Sequence, residues 1–299
     1  MCFHDIACVT LYEVKQQSRR WEFQLFVVVS LVGITLCHVY WQNYNTSWEA
    51  SALPCSVPLM NAYLFSVVQS LFVILMMTDF PRREQVRGEM ECIFVRPLGN
   101  MIYTWSKILG NLVLFVSVNI VVILSCLLFV HMGCVAPYRF GFYLFYVLTL
   151  SIPSFLFMTG LSLCLARLIR CRFFVLIFLL GLWVLSIVWL PYKWHGTFDF
   201  LGGGLPNLFS DVTGHVGLSN YLLHRSCYFL LGFGCLLLSV WGMRRIPNSS
   251  SRVKVYSLVG FLLILSAFVS MYAIEKSYLS VREIRSVYRD SFRHYWSET

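Results

Sequence analysis

The segment His195-Gly-Thr-Phe-Asp199 sets an imidazole four residues from a carboxylate, and Gly202, Gly203, Gly204, Asp211 and His215 follow it. A histidine beside a carboxylate makes a general base, so a polytopic membrane acyltransferase or hydrolase using His195 and Asp199 is one reading. No nucleophile stands in a recognisable setting. The plainer expectation is a Gly-rich loop whose polar groups face water, and no catalytic residue is assigned. The glycines are not a phosphate loop either. No GxxxxGKS/T occurs in the chain, so it has no ATP-binding motif of that kind.

Metal chemistry has little to build on. The 11 cysteines contain no CxxC pair, and Cys37, Cys126, Cys164, Cys227 and Cys235 lie in apolar runs, where cysteine behaves as a small buried hydrophobe. Cys55 and Cys134 are candidates for a disulfide in an oxidising compartment. His4, His38, His131, His195, His215, His224 and His294 show no paired spacing, whereas a metal needs three or four converging ligands. No metal site is expected.

Gln69, Asn111 and Asn119 are polar residues inside apolar runs. A bare amide in hydrocarbon is costly, so each marks a pathway or a hydrogen bond between helices. No carboxylate stands in the middle of an apolar run, which argues against an ion-coupled carrier. No filter-like loop argues for a channel.

Composition dictates what must position these residues. Of 299 residues, 58% are hydrophobic and 12% charged, with a mean hydropathy of +0.71. Soluble domains carry roughly 25% charged residues, so a soluble enzyme and a disordered chain are both excluded. Seven apolar runs reach or approach the length that crosses a bilayer: Phe23 to Trp41, Leu59 to Met77, Ile108 to Val130, Phe140 to Ala166, Phe173 to Leu190, Tyr221 to Met243 and Val255 to Ile274. Nothing shows the alternation of a barrel, and backbone amides in lipid must bond within their own segment. The expected fold is an all-α polytopic membrane protein with six to seven transmembrane helices and an amphipathic cytoplasmic N-terminal helix.

The basic residues orient it. Lys15, Arg19 and Arg20, then Arg82, Arg83, Arg87, Arg96 and Lys107, then Arg167, Arg170 and Arg172, then Arg244, Arg245, Arg252 and Lys254 fall on one side. The opposite loops carry Arg139 and Lys193, with Arg225 just inside the sixth run. The positive-inside rule puts the N-terminus in the cytoplasm. The net charge of +9 thus meets anionic headgroups, and no nucleic-acid partner is expected.

Between the second and third runs lies the charged segment from Asp79 to Asn100. From Arg83 to Phe94 it places Val86, Met90, Ile93 and Phe94 on one helical face, with Glu84, Arg87 and Glu91 elsewhere. Pro97 ends it. The amino-terminal Leu11-Tyr-Glu-Val-Lys15 with Arg19-Arg20-Trp21, the segment Pro58-Leu-Met-Asn-Ala-Tyr63 with Gln69-Ser70, Glu89-Met-Glu91, Arg96-Pro97-Leu98-Gly99-Asn100 and Trp105-Ser-Lys107-Ile-Leu-Gly110 together resemble permeases of the ABC type-2 exporter family. The resemblance is to a long branch known from Bacteroidetes-like bacteria and to the N-terminal permease half of its longer relatives. It covers about residues 6 to 130.

That resemblance implies an exporter permease in the inner (cytoplasmic) membrane, with no cofactor of its own. ATP and Mg would sit on a separate P-loop ATPase subunit, and a second permease half would complete the path. It implies a cytoplasmic interfacial helix over 1–22, a permease domain over 23–274 with a coupling loop at 79–107 and an outer loop at 192–220, and ATPase docking by Arg83, Glu84, Arg87, Glu89 and Glu91. The departure is the seventh run and the tail 275–299, which an odd number of spans places outside the cytoplasm. The tail reads as an amphipathic helix. The alternative reading is a membrane anchor or assembly subunit for an exported partner.

Overall fold

The computed structural model describes residues 2–44, 55–78, 100–129, 139–169, 171–205, 208–210, 214–215, 217–241 and 253–298. The chain is an all-α polytopic membrane protein. Among the described residues six helices are long and apolar enough to cross a bilayer: Trp21–Tyr40, Ser56–Thr78, Ile102–Leu128, Phe140–Leu168, Leu218–Trp241 and Lys254–Ile284.

Helix α1 (Cys2–Ser18) precedes the first span and is separated from it by an extended residue, Arg20 (φ −79°, ψ 141°). The first span is α2 (Trp21–Val28), a π turn (Val29–Gly33) and α3 (Ile34–Tyr44). Helices α4 (Ser56–Thr78) and α5 (Asn100–Phe129) follow. The fourth span is α6 (Phe140–Tyr146), a second π turn (Val147–Ser151) and α7 (Ile152–Leu168). Next come α8 (Arg172–Val188), two 3-10 turns (Leu190–Tyr192 and Trp194–Gly196) and an antiparallel pair, β1 (Phe209–Ser210) with β2 (Gly214–His215). Helices α9 (Leu218–Trp241) and α10 (Val253–Glu298) close the described chain.

Three boundaries differ clearly from the apolar runs, the first being α5, which begins at Asn100 where the run begins at Ile108. The fifth run was expected to reach Leu190, but α8 has 17 residues, about 25 Å at 1.5 Å per residue, against a hydrocarbon core of about 30 Å. Pro191 disfavours helical backbone at the residue before it, and the chain passes into the 3-10 turns. The last run, Val255 to Ile274, and the amphipathic tail that follows it are continuous as far as Glu298. They form one helix, because no Gly or Pro follows Gly260 within α10. The charged segment with Arg83, Glu84, Arg87, Glu89 and Glu91 lies outside the described residues, as do Cys134, Pro206 and Asp211.

The core is aromatic. Phe26 of the first span has no exposed surface and meets Phe65 and Phe72 of α4 and Phe115 of α5, with ring centroids 5.9, 5.2 and 4.8 Å away. Phe115 continues to Phe155 of α7 at 5.2 Å. Glycine lets two pairs of helices touch backbone to backbone, as small residues do in membranes. A Cβ on Gly232 would lie 2.6 Å from the Phe157 nitrogen, and one on Gly234 would lie 2.8 Å from the Gly260 carbonyl oxygen. The outward faces stay apolar: Phe173, Phe174, Ile177 and Phe178 of α8 and Leu258, Phe261, Leu262 and Leu265 of α10 are exposed, as a lipid-facing surface requires.

Candidate functional site

The fourth span is interrupted where its sequence demands it. Pro153 has no N–H to offer the carbonyl four residues back, that of Thr149, and the π turn over Val147–Ser151 disturbs the same stretch of ladder. Arg225, from the first half of α9, supplies donors there. Its Nε donates to the Thr149 carbonyl at 2.7 Å, and one terminal nitrogen donates to the Leu150 carbonyl at 3.2 Å and to Ser154 Oγ at 2.9 Å. The other donates to the Phe200 carbonyl at 3.0 Å. The side chain is buried, so a guanidinium within an apolar bundle is held by three carbonyls and a hydroxyl drawn from two other segments of the chain.

Phe200 belongs to the loop after α8, which folds inward rather than lying on the surface. Thr197, Asp199, Phe200 and Leu201 are buried. Asp199 accepts from Ser186 Oγ at 2.6 Å, from the Leu201 N–H at 2.9 Å, and from the N–H groups of Gly203 and Gly204 at 2.6 and 3.3 Å. The Thr197 carbonyl accepts from Tyr228 Oη at 3.0 Å and from His224 Nε2 at 2.9 Å. The glycines are there for space. Gly202 has φ +77°, and a Cβ on it would lie 2.8 Å from a guanidinium nitrogen of Arg225; one on Gly204 would lie 2.8 Å from the Pro191 Cα.

These contacts correct two expectations. The loop's polar groups do not simply face water, because Asp199 is fully enclosed and its oxygens are taken by loop N–H groups and Ser186. Nor do His195 and Asp199 form a general-base pair. His195 donates from Nδ1 to Glu275 Oε1 at 3.1 Å and stacks on Tyr278, while Thr197 Oγ1 donates to the other Glu275 oxygen at 2.9 Å. Trp194 and His195 adopt left-handed backbone (φ 46° and 51°), which aims this corner at α10. Glu275, where the tail begins, therefore lies against the loop between α8 and α9.

Gln69, Asn111 and Asn119 are all buried. Gln69 and Asn119 line one small cavity of about 10 Å³ together with Ser151 of the π turn, room for about one water molecule. Asn111 is elsewhere and donates to the Lys107 carbonyl of its own helix at 2.9 Å. Among the described residues no group of three or more His, Cys, Asp or Glu converges as metal ligands.

A second polar junction ties α1 to the start of α5. Lys107 Nζ lies 3.7 Å from Glu13 Oε2, and Gln17 donates to Glu13 Oε1 at 2.7 Å. All three residues are buried. Thr10 Oγ1 donates to the Ser106 carbonyl at 3.1 Å, and Gly110 makes room, since a Cβ there would lie 2.9 Å from the Cβ of Glu13. Two sequence segments singled out separately, around Glu13 and from Trp105 to Gly110, are thus one contact.

Sequence reasoning passed over Arg225 as a residue near a span end. Its signal was available: a lone arginine in a 24-residue apolar helix is costly in lipid and needs a buried partner. Comparison with known proteins finds neither a family model nor a curated protein that matches the chain.

Proposed function

We propose that the chain is the permease subunit of an ATP-driven exporter of the ABC type-2 kind, forming half of a transmembrane path beside a second permease half. A separate P-loop ATPase, carrying ATP and Mg, drives it from the cytoplasmic side of the inner membrane. The observation that supports this best is the buried Glu13–Lys107 junction. An ATPase on a separate chain moves spans only through elements rigidly attached to them, and this clasp fixes the interfacial helix α1 to the head of α5, just after the charged segment that resembles a coupling region. The basic residues at the same span ends support a cytoplasmic N-terminus.

A mild-detergent pull-down of the tagged chain from its native membranes tests the reading. A stoichiometric P-loop ATPase with vanadate-sensitive activity is expected, and charge reversal at Glu89 and Glu91 should weaken its association without unfolding the spans. An intact, folded chain that brings down no ATPase would overturn the proposal.

One observation favours the anchor or assembly reading instead. The 46 residues of α10 make a helix of about 69 Å at 1.5 Å per residue, more than twice the hydrocarbon thickness of about 30 Å, so much of it is available to hold a partner. Truncation after Ser280 separates the two readings: release of a bound exported protein with the ATPase still attached supports the anchor, and unchanged export supports the permease.

A further inference from the structure

Gln69, Asn119 and Ser151 come from three different spans: Gln69 from α4, Asn119 from α5 and Ser151 from the π turn of the fourth span, each well inside its span. The cavity of about 10 Å³ that they share is walled otherwise by apolar side chains, among them Phe65, Phe115 and Phe155. Gln69 and Asn119 are 3% and 2% exposed, and their oxygens, Oε1 and Oδ1, receive no hydrogen bond from any described residue. A buried acceptor left without a donor costs the full desolvation of that group, and folded proteins rarely leave one so. Two such side chains beside one cavity call for a single donor that serves both.

Ser151 completes the set. Its Oγ accepts from Ser66 Oγ at 3.4 Å, which leaves its own proton to donate. A serine within a helix commonly gives that proton to the carbonyl four residues back, as Ser66 and Ser70 do at 2.7 Å. For Ser151 that carbonyl belongs to Val147, and in the π turn it already accepts the Ile152 N–H. The cavity has about the size of one water molecule, and buried waters typically make about three hydrogen bonds, the number that two amide oxygens and one hydroxyl offer.

We infer that this cavity is a binding site for one ordered water molecule, which donates to Gln69 Oε1 and Asn119 Oδ1, accepts from Ser151 Oγ, and so joins α4 and α5 to the π turn. Arg225 secures the same turn through the carbonyls of Thr149 and Leu150, so the interruption of the fourth span is held at adjacent residues by a guanidinium and by water. The described lining residues are all uncharged, which suits a neutral ligand better than a cation. The inference is independent of the export reading, since it uses only the cavity and its polar residues.

The test is radiolytic hydroxyl-radical footprinting of the purified full chain in nanodiscs, in which a bound water is converted where it sits to a radical that oxidises the side chains around it, read by mass spectrometry. Phe115 and Phe155 line the cavity, and Phe26, which packs on Phe115 at 4.8 Å, does not. All three are buried to 1% exposure or less, so bulk solvent reaches none of them. Phe115 and Phe155 are expected to be oxidised and Phe26 to be spared, a comparison that needs no variant. Gln69→Met and Asn119→Leu should each lower the thermal midpoint, because each leaves the other amide without its bridge. The double variant should recover most of that loss, since no orphaned amide remains, and it should abolish oxidation of Phe115 and Phe155. The midpoint of the parent should be the same in sodium, potassium and choline chloride. Oxidation of Phe115 and Phe155 no greater than that of Phe26 would overturn the assignment in favour of a dry contact between helices. A midpoint raised by sodium or potassium over choline would overturn it in favour of a cation, and oxidation retained in the double variant would show that the amides do not hold the water.

Discussion

Arg225 and Asp199 hold the two ends of one peptide group: Arg225 donates to the carbonyl of Phe200 at 3.0 Å, and Asp199 accepts the N–H of the next residue, Leu201, at 2.9 Å. The same arginine binds the Thr149 and Leu150 carbonyls of the interrupted fourth span. A single residue thus couples the inward-folded loop to the break in that span. Replacing Arg225 by Met should destabilise the protein by about 3 kcal/mol, the upper end for a hydrogen-bonded charged group, seen as a lower thermal midpoint in detergent. Arg225→Lys should recover only part of this, since an ammonium lacks the guanidinium fork.

Because both side chains act on one peptide group, their effects should not add. In a double-mutant cycle, Asp199→Asn with Arg225→Met should cost less than the two single changes together. Strict additivity in the unfolding midpoints would show that the loop is held by something else.

The loop glycines should rank by the room around them. Alanine at Gly204 or Gly202 drives a Cβ into Pro191 or Arg225, whereas alanine at Gly141 meets nothing. Gly204→Ala and Gly202→Ala should lower the thermal midpoint measurably, with Gly141→Ala within error of the parent. At the helix crossing, Gly232→Leu should be worse than any of these, because the obstacle is the backbone of Leu156 and Phe157, which cannot turn aside.

Splitting the Glu13–Lys107 pair leaves a buried charge uncompensated, which is strongly destabilising where neither partner can reach water. Lys107→Met should free α1 from the head of α5 and make it sensitive to limited proteolysis. The charge exchange Glu13→Lys with Lys107→Glu should restore protection in part. Gly110→Leu should expose α1 in the same way through bulk alone.

Cys8 and Cys171 are exposed, whereas Cys55 is buried. A maleimide should modify the first two within the time that leaves Cys55 untouched. Four spans lie between Cys8 and Cys171, so under the proposed cytoplasmic N-terminus single-cysteine variants retaining either one should both resist an impermeant maleimide in intact cells and both react in inverted vesicles. Opposite behaviour of the two would overturn that topology.

The apolar runs determined the helices, since hydrogen bonds inside each segment are the local answer to a bilayer and need no knowledge of neighbours. All seven runs are represented by helices; the largest boundary shifts are at α5, which begins at Asn100, at Pro191, and at α10, which no Gly or Pro stops. Pro153 likewise frees a carbonyl within the fourth span. What answers that carbonyl was not legible locally, because Arg225 comes from a different span and reaches it only through helix packing. The partner of His195 was not legible for the same reason: Asp199 is its neighbour in sequence, but the left-handed turn at Trp194 and His195 presents the imidazole to Glu275 on α10, while Asp199 turns inward to the loop's own N–H groups. Spacing along a chain describes partners within a helix or a turn, and only the tertiary structure decides which of several polar groups meets another across the bundle.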